Sequence, residues 1–217
     1  MLTFNLFRIP VSVHWMFFLL TAFLGGLFGA LEVGTPEAFK GVLVFMIAAF
    51  ISIMVHELGH ALTGLAMGAK FTQIHLGGMG GVAIFPGASF TRPKSILVTA
   101  AGPAASIILA LIFSAVAANT ENQTLSNYPL RAQFIGTMVF INIFWSAFNL
   151  CPIMPLDGGQ ILRDTLGPKR IKVSSIISLV FVAILSVVIW NWTHSIYNIF
   201  IMFLLGMHNW QLLKEQR

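Results

Sequence analysis

Charge is what this chain has least of: its seven acidic residues and twelve lysines and arginines make up 9% of 217 positions, against about 25% in an ordinary soluble domain. That shortage excludes a solvated globule. With hydrophobic residues at 57%, the composition describes a polytopic membrane protein of one domain, 1–217. A single cysteine, Cys151, excludes an intrachain disulfide. No tandem repeat or low-complexity tract interrupts the chain. The net charge of +5 has the sign that suits nucleic acid, but the basic residues flank apolar runs and form no patch, so no nucleic-acid partner is expected.

Apolar segments long enough for a bilayer of about 30 Å are expected at about 11–31, 38–67, 95–118, 131–150, 173–190 and 195–213. The first has a bland alternative, a cleaved signal peptide, but its weakly basic lead-in and length favour a span. Between the second and third, Phe71 to Leu76 and Val82 to Phe85 flank Gly77-Gly78-Met79-Gly80-Gly81 and read as a small membrane-associated β-hairpin. An extended peptide can add to the edge of such a hairpin. The expected fold is therefore an all-α polytopic membrane protein with six transmembrane helices and this one hairpin. Ten of the twelve basic residues then fall on the side that holds both termini, which the positive-inside rule makes cytoplasmic. The expected location is a prokaryotic cell membrane.

Within the second apolar run stands His56-Glu57-Leu58-Gly59-His60. On a helix, residues four apart lie on one face, so both imidazoles can meet one metal ion. Glu57, beside the first of them, can take a proton from the attacking water rather than ligate the metal. H-E-x-x-H also arises by chance, but two histidines and a glutamate in an apolar helix are costly unless bound or paired. One zinc per chain supplies that reason. Thr63 and Ala66 stand where a metzincin would need glycine and histidine, which excludes that class.

A catalytic zinc takes three protein ligands and leaves one position open. Of the seven acids, Glu32, Glu37 and Glu121 fall on the far side, Glu57 is the base, and Glu215 sits in a tail. Asp164 has Arg163 as a ready ion-pair partner. Asp157 follows Pro152-Ile153-Met154-Pro155-Leu156 and precedes Gly158-Gly159, a sequence that breaks a helix and sets the aspartate on irregular backbone. It is the best-placed acid, with His14, His75 and His208 competing for the same role. The stretch 163–172 reads as a basic linker, and the last two spans carry no chemical motif.

The chain resembles the site-2 protease family of intramembrane zinc metalloproteases. The resemblance rests on His56-Glu57-Leu58-Gly59-His60, on Asn149-x-x-Pro152-x-x-Pro155-Leu156-Asp157-Gly158-Gly159, on the glycine-rich hairpin, and on Gly102-Pro103 between them. It implies His56, His60 and Asp157 as zinc ligands and Glu57 as the catalytic glutamate. It also implies Asn149 as a catalytic polar residue that steadies substrate or the developing oxyanion. One departure is Ser106, where members often carry asparagine. The PDZ-type and CBS-type domains of some members are absent, so a minimal form is expected. The implied substrates are single-span regulatory proteins or remnant signal peptides cleaved within or near their membrane segments, with the lipid bilayer as the other partner. Two rivals stand beside this reading. One is a metal or proton transporter, which would need polar stations across the whole bilayer. The other is an inactive metal-bound protein that holds transmembrane partners.

Overall fold

The computed structural model describes residues 1–78, 80–120, 127–194 and 196–215. Met79 in the glycine turn, residues 121–126 of the expected polar loop with Glu121, Ser195 and the final residues 216–217 fall outside them. The chain divides into two compact units, Met1–Ser89 with Ala101–Ser146, and Phe90–Ala100 with Ala147–Arg217.

The first unit opens with a hairpin where a bare lead-in and the start of a span were expected. Strands β1 (Leu2–Leu6) and β2 (Ile9–Val13) pair antiparallel across Phe7 and Arg8, both at positive φ. Two left-handed residues make a turn that matches strand twist, but they are usually Asn-Gly or Asp-Gly, and Phe-Arg carries no such mark. The period-2 alternation of Leu2, Phe4, Leu6 against Thr3 and Asn5 is the signal that was there to read. Helix α1 (Trp15–Leu24) follows, capped by the His14 side chain. Left-handed Gly26 then breaks the chain before α2 (Leu27–Val33), and the two helices bend by 61°. The single span expected over 11–31 is thus a strand and a broken helix.

Helix α3 (Pro36–Ala66) starts at a Thr35 cap with proline in its first turn and Glu37 beside it, a strong helix start. Its 31 residues span about 46 Å, longer than a bilayer's apolar core. Strands β3 (Gln73–Gly77) and β4 (Gly80–Ile84) form the expected hairpin. β3 also pairs in parallel with β2, giving one four-stranded sheet in the order β1-β2-β3-β4. The architecture is therefore mostly helical rather than all-α. One sheet face, with Val11, Val13, Ile74 and Leu76, packs with Phe17 of α1 and Ile53, Met54 and Ala61 of α3 into the unit's core.

Helices α4 (Arg92–Ala118) and α5 (Pro129–Asn149) follow. In the second unit, α6 (Asp157–Leu166), a 3-10 turn (Pro168–Arg170), α7 (Ile171–Thr193) and α8 (Ile196–Lys214) complete the chain. The basic stretch expected as a linker is helix end and turn. Among the described residues, α3, α4 and 168–191 are long and apolar enough to cross a membrane, and the α1–α2 pair makes up to four. The segments expected at 131–150 and 195–213 exist as α5 and α8 but are not among them. Asn142, Ser146 and Asn149 lower the hydropathy of α5. Large apolar side chains face outward along the helices, such as Leu43, Ile47, Leu111, Ile184 and Val187, as expected where the surroundings are hydrocarbon.

Close approach of α3 to α4 rests on small residues: a Cβ added at Gly59 would stand 2.5 Å from the carbonyl oxygen of Ala101 and 2.9 Å from Ala105 Cβ. Gly59→Ala is expected to destabilise the fold by about 1–3 kcal/mol, read as a lower thermal midpoint in detergent. An unchanged midpoint would mean that these backbones do not meet.

Candidate metal centre

His56, Glu57 and His60 lie on α3 and are 2%, 4% and 8% exposed. Their Nε2 atoms, His60 to His56, are 3.2 Å apart. Two nitrogens on one tetrahedral zinc, each at about 2.0–2.1 Å, are separated by about 3.3 Å, so the spacing suits a shared ion. The rings are nearly perpendicular, with centroids 4.8 Å apart.

The neighbouring elements are shaped around this pair by what they lack. Gly102 on α4 leaves room for the His60 ring, which any Cβ there would strike. One turn further on, Ser106 Oγ lies 3.1 Å from His56 Nδ1 and is itself 1% exposed. A hydrogen bond from Nδ1–H to that oxygen leaves the Nε2 lone pair free for a metal. Ser106, noted in the sequence only as a departure, thus holds the back of the first histidine. In β4, Gly81 passes so close to Glu57 that a Cβ would meet its Cγ at 2.5 Å and its Oε1 at 2.6 Å. The edge strand therefore runs beside the glutamate.

Asp157 is 8% exposed and is the first residue of α6. The irregular backbone expected around it covers 150–156 and ends one residue short. A carboxylate in the first turn suits the helix macrodipole. The two glycines behind it are steric: a Cβ at Gly158 would fall on the Leu150 carbonyl, and one at Gly159 would stand 2.5 Å from Met154 N. The 150–156 segment folds directly over this first turn, and only glycine fits beneath it. Asn149, 9% exposed, closes α5.

His56 and His60 offer two imidazole nitrogens at a spacing that suits one metal ion, and Asp157 offers a buried carboxylate at a helix start. Two imidazoles and a carboxylate are a donor set compatible with zinc that leaves a fourth position for water. Of the competing histidines, His14 caps α1 and His75 is hydrogen-bonded to Ser12. Asp164 accepts hydrogen bonds from Ser95 and from Arg163 Nε at 3.0 Å, the ion pair expected of it.

The model of the peptidase M50B-like family matches residues 41–156. The chain belongs to that family. It is 30% identical to a zinc metalloprotease of Methanocaldococcus jannaschii over 166 residues, which is 76% of this chain and 45% of that protein. A Synechocystis relative is 33% identical over 74% of this chain and 42% of its own length. The chain thus spans about half the length of these curated relatives. A solved structure, the site-2 protease from M. jannaschii, superposes with a TM-score of 0.68 at 26% identity, covering 98% of this chain and 94% of that one. The site-2 protease resemblance carried by the two motifs agrees with all three.

In this M50B-like chain Ser106→Ala removes the partner of His56 Nδ1. Zinc affinity is expected to fall about 10–100-fold, measured by chelator competition on purified protein. Affinity equal to wild type would remove Ser106 from the centre.

Proposed function

We propose that this chain is an intramembrane zinc metalloprotease of the site-2 type, which hydrolyses peptide bonds within or near the transmembrane segments of membrane proteins. The observation that carries the reading is the buried pair His56 and His60, with Nε2 atoms 3.2 Å apart and Glu57 next to the first histidine on a helix of membrane length. Polar groups of this kind in an apolar setting need a bound partner, and this donor set suits zinc. His56, His60 and Asp157 would hold the ion, which when bound would supply a Lewis acid able to activate water at neutral pH and polarise a carbonyl.

Glu57 accepts the proton of the attacking water and delivers it to the leaving amine, which keeps the amine from expelling as an anion. Asn149 offers amide hydrogens to substrate or to the developing oxyanion. Strand β4 is one of the two edge strands of its sheet among the described residues, and an extended peptide added there by main-chain hydrogen bonds would lie alongside Glu57. A helical substrate must unwind first, because its carbonyls are hydrogen-bonded within the helix. Helix-breaking residues in the substrate should therefore speed cleavage. Single-span regulatory proteins and remnant signal peptides fit these demands. We place six spans across the membrane, the α1–α2 pair, α3, α4, α5, α7 and α8, as one domain, with both termini and the opening of the site in the cytoplasm on the strength of the Lys and Arg distribution.

Purified protein in detergent should cleave a tagged single-span substrate and stop when zinc is chelated. Glu57→Gln should retain zinc yet lose about 10²–10⁴-fold in rate. Cleavage that survives that substitution would falsify the assigned base. Asp157→Ala should bind zinc much more weakly, through the two histidines that remain, while Asp164→Ala keeps wild-type affinity; equal affinity in the two would move the third ligand elsewhere.

A further inference from the structure

The last two helices bear no chemical motif, yet each sends one buried polar side chain to the segment that precedes Asp157. We propose that Ser178 of α7 and Asn209 of α8 are positioning residues that fix Asp157 for metal binding, an inference that rests on the zinc reading above. Residues 150–156 are irregular, and irregular backbone among apolar helices must have its polar groups met by protein. Two of the needed bonds are internal, Ile153 N to Cys151 O at 2.7 Å and Leu156 N to Ile153 O at 2.8 Å. Side chains meet the groups in between. Ser178 Oγ donates to the Pro152 carbonyl at 2.9 Å and accepts from Met154 N at 3.4 Å. Asn209 Nδ2 donates to the Met154 carbonyl at 2.7 Å and to the Leu205 carbonyl at 2.8 Å.

Both side chains are fully buried, at 0% exposure. Between the two anchored residues Ile153, also 0% exposed, inserts into a cluster with Val182 of α7 and Met202 and Leu205 of α8. The segment is therefore pinned by polar and apolar contacts over three successive residues, 152 to 154. Gln160 adds a bond from its Nε2 to the Pro155 carbonyl at 3.1 Å. Asp157 follows at once, as the first residue of a helix whose glycines leave no slack beneath the segment. A shift of Met154 must carry Asp157 with it. Neither Ser178 nor Asn209 need touch the metal to set where its carboxylate ligand stands, much as outer groups orient ligands in other metal sites.

The test is zinc affinity of the full chain in detergent, by chelator competition, beside the thermal midpoint of the zinc-free protein. Ser178→Ala and Asn209→Leu are each expected to weaken zinc about 10–100-fold. In Asp157→Ala, where the aspartate no longer contributes, adding Asn209→Leu or Ser178→Ala should weaken zinc no further, because the effect acts through that residue. A drop in the zinc-free midpoint with zinc affinity unchanged would overturn the proposal and leave both residues as packing alone. So would a full additional loss of affinity in the Asp157→Ala background. If Asn209→Leu fails to fold, Ser178→Ala, which deletes one hydroxyl, decides by the same criteria. Wild-type protein that takes up no zinc would instead sink the proposed function, and this inference with it.

Discussion

Two imidazole nitrogens 3.2 Å apart in the interior of an apolar chain are the constraint to which the surrounding structure answers. Away from water, polar side chains are tolerated when each finds a partner, and a shared divalent ion is the partner that this spacing and these donors suit. Bringing a second helix, a strand and a glutamate up to the same pair requires that almost nothing else occupy the space. Glycine and small residues meet that requirement. Gly59 lets α4 approach, Gly102 clears the His60 ring, and Gly81 lets β4 pass Glu57. Ser106 is small enough to fit and still offers an oxygen to His56.

The same economy appears around Asp157. A helix start positions the carboxylate, two glycines admit the incoming chain beneath it, and buried Ser178 and Asn209 satisfy the backbone that regular structure does not. The proposed metal chemistry would thus draw on hydrogen-bonding residues well outside the motif. Their cost is borne because exposed peptide groups there would cost more.

Much of the proposed site was legible in the sequence. His56, Glu57 and His60 carry a helical spacing that has one obvious chemical use, and the scarcity of acids narrowed the third ligand to very few residues, Asp157 foremost. The glycine-rich hairpin was legible too, because Gly77 to Gly81 separates two β-prone runs. What could not be read depended on partners distant in sequence. The β1–β2 hairpin turns on Phe7-Arg8, whose type gives no turn signal, and an apolar alternation running into α1 reads as one long span. The parallel pairing of β2 with β3 joins segments about sixty residues apart, and no local pattern announces it. Ser106, Ser178 and Asn209 look like incidental polar residues in apolar helices until their partners are seen. The number of spans illustrates the same limit from the other side: α5 and α8 carry polar residues turned inward, such as Asn142 and Asn209, which lower their hydropathy without saying where the helices lie.

The most direct test of the central claim is X-ray absorption at the zinc edge of the purified, metal-loaded protein. Two imidazole nitrogens and at least one carboxylate oxygen are predicted, with nitrogen at about 2.0–2.1 Å and no sulfur. A thiolate shell near 2.3 Å, which only Cys151 could supply, or a centre with fewer than two imidazoles, would contradict the account.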